Sequence, residues 1–148
     1  FTPIIDSYGR VIFTRWDLTV CHFEREMYRN PDQDLNKLWW DLVEKFQMIK
    51  RPEDRNQPDW ASKIHIACYP AYYQNYMLGE KTASQLLEFI TTKVLGGHAE
   101  KFVDSPEVGQ YLISKYFKHG SRFDWNGLLK EATGEELQPE YFAKHLQS

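Results

Sequence analysis

Cysteine is scarce in this chain, and its scarcity removes two structural devices at once. Cys21 and Cys68 are the only two in 148 residues. Neither belongs to a Cys-x-x-Cys pair, so a zinc-finger framework is excluded. A single disulfide between them is left open; otherwise both are expected to be buried, small hydrophobic side chains. No stretch holds the eighteen or so continuous apolar residues that a membrane helix requires, and the first residues lack the pattern of a signal peptide. Neither sign of charge dominates, since 18 Lys and Arg stand against 21 Asp and Glu for a net charge of −3. With both signs interspersed, there is no electrostatic footprint for nucleic acid and no polybasic patch for a membrane surface. Period-two alternation is missing as well, so no strand is expected, and there is no repeat or low-complexity segment.

The familiar catalytic signatures are also missing. His22, His65, His98, His119 and His145 are the five histidines, and none lies in the His-Glu-x-x-His pattern that holds zinc from one helix face. No Gly-x-Ser-x-Gly elbow and no phosphate-cradling glycine loop occurs. These 148 residues are therefore expected to bind no metal by themselves. His22 and Glu24 stand two apart, which on a helix separates side chains by about 200° and reads as surface and helix-edge positions. Gly79, alone in a helical pattern, reads as a packing contact.

The chain does have enough length for one domain with a real core, and residues 1–148 are expected to form a single all-α unit of about five to six helices. Aromatic residues make up 16% of it, a large buried payload whose polar edges need partners. The chain opens Phe1-Thr2-Pro3 without a methionine, as a fragment or processed product would. After an irregular start with a turn at Tyr8-Gly9, Ile12, Phe13, Trp16, Val20, Phe23 and Met27 mark an amphipathic helix over about 10–29, stopped by Asn30-Pro31. Asp32 or Asp34 caps a second through Leu35, Trp39, Leu42, Val43 and Phe46, ending near Met48. Residues 50–59 carry charges, Asn and two prolines without periodicity, and form a surface loop. Beyond Gly97, Asp104-Ser105-Pro106-Glu107 opens a helix to about Lys118, stopped by Gly120. Asp124 and Gly134 bracket another, and Pro139 opens the last.

The stretch Trp60–Gly97 organises the rest. Lys63 and His65 stand two apart, and Tyr69, Tyr72, Tyr73 and Tyr76 follow at steps of one, three and four that a helix would gather on one side. Pro70 fits the first turn of such a helix and Gly96-Gly97 its left-handed stop. A cation, an imidazole and several phenols at one helix start suit carboxylate capture and oxyanion stabilisation. They also suit, and on spacing alone suit better, a half-buried aromatic stripe around a satisfied core histidine; spacing leaves both open.

The order of motifs adds to spacing. LWWDLVEKFQ, then WASKIHI, a tyrosine-rich helix, and later FDWNGLLKEATGEELQPEYF resemble the C-terminal part of the angiotensin-converting-enzyme family, which are zinc dipeptidyl carboxypeptidases. The resemblance runs from about Leu38 onward. HIACYPAYYQNYML is similar to the tyrosine-rich helix of the thimet-oligopeptidase group. The resemblance implies that Lys63 and Tyr73 hold a substrate's terminal carboxylate, that His65 hydrogen-bonds the peptide backbone near the scissile bond, and that Tyr76 stabilises the oxyanion. Reaching Tyr73 and Tyr76 requires a one-residue deletion after His65. In the oligopeptidase register Tyr69 is a further substrate contact. Asn75 stands at the family's chloride-binding arginine, which departs from the pattern. The resemblance also places the zinc-binding His-Glu-x-x-His and its glutamate upstream. It thus implies peptidyl-dipeptidase-like hydrolysis in a longer zinc protein, a piece inert alone, and an extracytoplasmic or secreted location as one that fits. The implied partners are a peptide substrate and the metal-bearing N-terminal part of the same protein, with dimerisation through the aromatic face as another way to cover it. A non-catalytic helical module that holds a peptide C-terminus in a tyrosine-lined groove is the competing reading.

Overall fold

The computed structural model describes residues 3–147, with side chains from Ser7 onward. Seven α-helices and no strand occur among them: α1 Pro3–Arg29, α2 Leu35–Gln47, α3 Ile64–Cys68, α4 Gln74–Phe89, α5 Pro106–Lys115, α6 Trp125–Thr133 and α7 Pro139–His145. The chain is all-α. None of these helices is long and apolar enough to cross a membrane.

Two boundaries and one glycine depart from the sequence reading. The expected turn at Tyr8-Gly9 is helical, because Pro3 sits at the start of α1, where a missing N–H is no loss. One interior glycine weakens a helix by only about 1 kcal/mol, too little to break a helix of 27 residues. The central stretch forms two helices, which makes seven among the described residues where about five to six were expected. Pro70 lies between α3 and α4 instead of opening a helix, and Ala71 after it is left-handed at φ 54°. Gly79 is not a packing contact, since, apart from its chain neighbours and the backbone of its own helix, nothing comes within 4 Å of where its Cβ would stand.

Elsewhere local chemistry sets the ends. Asp34 caps α2 by accepting from Lys37 N–H at 2.9 Å, and Met48 closes it in the left-handed region. Ser105 caps α5 and Asp124 caps α6, accepting from Val108 and Gly127 N–H. α5 stops at Lys115, short of Lys118, and a 3-10 turn Phe117–His119 leads to Gly120 at φ 52°. α4 widens at its end into a π-helical turn Ile90–Val94, and the left-handed pair Gly96-Gly97 stops it as expected.

The residues divide into two compact units, one up to Leu78 and one from Gly79 to Gln147. In the first, α1 packs on α2 around Val20, Phe23, Trp39, Leu42, Val43, Ile66 and Tyr73. The loop after α2 is tied back to it through indole N–H groups: Trp40 donates to Asp59 at 3.2 Å and Trp60 to Asn36 at 3.1 Å. Arg55 pairs with Asp59 and holds its carboxyl below the usual range. In the second unit Ile90, Leu95 and Val108 pack with Phe102, Tyr111 and Leu112. Gln85, almost fully buried, donates to Thr133 Oγ1 and to the carbonyls of Glu135 and Glu136, and accepts from Gln138 N–H. One side chain thus satisfies the turn between α6 and α7, which would otherwise present bare backbone groups.

The two cysteines part company. Both are free. Cys21 is half-buried beside Asp17, and its thiol is pushed up to about 12, first by burial and then by that carboxylate. Cys68 is exposed at the end of α3, contrary to the expectation of a buried thiol, because its short helix buries only Ile66. A rise of that size leaves Cys21 about a thousandfold poorer in thiolate than an ordinary cysteine. Iodoacetamide at neutral pH is therefore expected to alkylate Cys68 in the native chain and Cys21 only after denaturation. Equal native labelling of the two, read by peptide mass mapping, would contradict this placement.

Candidate functional site

All the residues singled out between Lys63 and Tyr76 lie in the first unit. A 3-10 turn Asp59–Ser62 delivers the chain to Lys63, the N-terminal flank of α3, and His65 follows in its first turn. Tyr69 ends α3, Tyr72 and Tyr73 lead into α4, and Tyr76 lies in the first turn of α4. The tyrosines therefore come from two elements and a turn, where a single helix face was expected.

The turn nevertheless brings them together, with His65 as their hub. Tyr72 stacks on the imidazole at 6.3 Å between centroids, Tyr73 and Tyr76 meet it edge-on at 5.0 and 5.5 Å, and Tyr69 lies at 6.4 Å. Edge and offset contacts at such distances are the favoured aromatic geometries. His65 Nε2 lies 2.9 Å from the Tyr76 hydroxyl, within hydrogen-bond distance. Phe13 of α1 packs edge-on against Tyr76.

Exposure sorts the phenols. Tyr69 is 57% exposed and Tyr76 41%, whereas Tyr73 is 8% exposed and belongs to the core. The Tyr73 oxygen accepts the indole N–H of Trp16, so its own proton is free to donate. Burial, the largest influence, raises its pKa, with the Trp16 bond acting in the opposite sense. The group therefore stays a neutral donor across the physiological range. Lys63 Nζ lies over the Trp16 ring, 4.4 Å from its centroid. A cation–π contact of this kind positions the ammonium without using its N–H donors. Trp16 thus touches both Lys63 and Tyr73, and it also packs edge-on against Trp39.

Sequence reasoning placed Trp16 only in the apolar stripe of α1, and nothing in its spacing points to a residue 47 positions on. It also placed Glu24 at the surface. Glu24 is instead buried at 5% exposure, because its carboxylate bonds the turn after α3. His22 is half-buried against Phe46, and burial, then Arg25, lowers its pKa. Asn75 is exposed on α4. An open depression of about 350 Å³ lies away from the tyrosines, lined by Asp34, Asp54, Asn56, Arg51 and Arg55, whose mixed charges give it no single sign.

Among the described residues, no three His, Cys, Asp or Glu side chains form a group that could hold a metal ion. A divalent zinc site needs three or four such ligands, so the residues here do not fit one. No family model, no curated protein and no solved structure matches this chain.

Proposed function

We propose that this chain is the substrate-holding wall of a zinc-dependent peptidase of peptidyl-dipeptidase type, inactive alone, with zinc held by residues outside it. One observation supports this reading above the others. The His65 imidazole and the Tyr76 hydroxyl meet at 2.9 Å on a partly open aromatic arc, and a bound peptide would have to exchange that mutual bond for bonds to its own oxygens. In this reading Tyr76 donates to the oxyanion as it forms and His65 bonds the peptide backbone. Lys63 and the Tyr73 proton hold the terminal carboxylate, and Tyr69 contacts a neighbouring residue of the peptide. Preorganised donors aimed at developing charge are a large source of rate enhancement, and a carboxylate facing an ammonium makes the stronger, charge-assisted kind of hydrogen bond. The missing metal-bearing segment is the natural partner of the exposed tyrosines, and dimerisation through them is the other occupant considered.

The second reading, a module that holds a peptide C-terminus without hydrolysis, uses the same residues and is favoured by the open Tyr69 and Tyr76, which need no metal to bind. A His-Glu-x-x-His encoded upstream would decide for the peptidase. Both readings are tested by calorimetric titration of the chain with one N-acetylated tripeptide as free acid and as amide. The free acid is expected to bind more tightly, and Lys63→Ala is expected to remove that difference.

A further inference from the structure

A buried carboxylate is costly unless its oxygens are bonded, and Glu24 spends its bonds on the turn that shapes the arc. Its Oε1 accepts the backbone N–H of Ala71 at 2.5 Å and the Tyr28 hydroxyl at 3.0 Å. Ala71 is left-handed at φ 54°, a region that a residue with a Cβ enters only against steric resistance. The turn it makes separates His65 of α3 and Tyr69 just after it from Tyr72 and Tyr73, which lead into α4, and from Tyr76 in its first turn. If Ala71 relaxed to right-handed or extended angles, α4 would leave in another direction and its tyrosines would no longer return to the imidazole. A charged acceptor is the kind of partner that can hold such a backbone, since a bond to it is stronger than one between neutral groups. Local backbone strain persists where the surroundings over-determine it, and here the surroundings include a residue from α1.

We propose that Glu24 is a positioning residue for the arc: its carboxylate holds Ala71 N–H in the left-handed turn, and so sets the approach of Tyr76 to His65. Its functional consequence rests on the peptide-holding reading; its structural content does not. The bond joins residues 47 apart in sequence, so the arc's shape is set from α1 and not by α3 and α4 alone.

The test is NMR of the whole chain with labelled histidine and backbone nitrogen. In the wild type the Ala71 amide is expected to exchange at least about tenfold more slowly than an unstructured amide, as a hydrogen bond to a charged acceptor implies. The His65 ring signals should show the ring-current displacement of the stacked and edge-on tyrosines. Glu24→Gln keeps an acceptor oxygen and should retain that displacement while moving the Ala71 amide signal. Glu24→Leu should abolish the displacement, and Ala71→Gly in the Glu24→Leu background should restore part of it by removing the steric penalty at that residue. Tyr28→Phe should leave the His65 signals in place. Free exchange at Ala71 in the wild type, unmoved His65 signals in Glu24→Leu, or no restoration by Ala71→Gly would overturn the proposal. If Glu24→Leu fails to fold, wild-type exchange and Glu24→Gln decide. Titration with the N-acetylated free-acid tripeptide separates the two ideas. No binding by a wild type with the full His65 displacement defeats the peptide-holding reading and leaves the Glu24 assignment standing.

Discussion

Replacing Tyr76 by Phe, in a polypeptide that carries this chain behind a metal-bearing segment, is expected to lower turnover of a peptide by about a hundred- to a thousandfold. The corresponding barrier increase is about 2.7–4 kcal/mol, the size found when one oxyanion donor is removed. The Michaelis constant should change little, because a bond that strengthens only as the oxyanion forms contributes to the transition state and not to ground-state binding. The substitution is a clean one at this position. The ring contacts of Tyr76 with Phe13, His65, Tyr72 and Tyr73 do not involve the hydroxyl. Phe retains them and deletes only the oxygen that meets His65 Nε2. Steady-state rates on wild type and variant decide the matter. Unchanged turnover would remove Tyr76 from the chemistry.

Phe23→Ala is expected to cost about 3–5 kcal/mol of stability, the range for truncating a buried aromatic side chain. Phe23 is wholly buried, edge-on to Trp39 at 5.2 Å and against Trp60 at 5.5 Å. Neither indole can collapse into the space: Trp60 is held by its bond to Asn36, and Trp39 by its contact with Trp16. Because Trp16 also touches Lys63 and Tyr73, the damage should reach the arc. The check is urea unfolding followed by tryptophan fluorescence. A loss under about 1 kcal/mol would mean that the site refills, contrary to the dense packing of protein interiors.

Those two residues also show what the sequence could reveal. Phe23 was legible as core because it falls on the repeating apolar face of α1, and the limits of α2 were legible because Asp34 is a local cap that needs no distant partner. Ser105, Asp124 and Gly134 were legible for the same reason, whereas Gly120, expected to stop α5, follows a 3-10 turn beyond the end of α5 at Lys115. Lys63, His65, Tyr69, Tyr73 and Tyr76 were legible as candidates, and the fold does bring the phenols around the imidazole. Which of them are buried and which open was hidden. Whether Tyr73 is buried or open depends on Trp16, and whether Pro70 starts a helix or sits in a turn depends on Glu24. Each of these contacts joins residues more than 40 positions apart, and no periodicity records them. Ala71 carried no signal at all, since a left-handed alanine follows from its surroundings and not from its own preference. Cys68 was misplaced for a related reason: a five-residue helix has room to bury one side chain, and Ile66 takes it.

Binding of one tripeptide in two forms decides whether the arc built on His65 receives the carboxylate end of a peptide beside Lys63. The wild-type chain is expected to bind the free acid about ten- to a hundredfold more tightly than the amide, as loss of a bond between charged groups implies. In Lys63→Ala the two forms should bind alike, at the strength of the amide. Equal affinity of the wild type for acid and amide, or an undiminished preference for the acid in Lys63→Ala, would mean that Lys63 holds no peptide carboxylate.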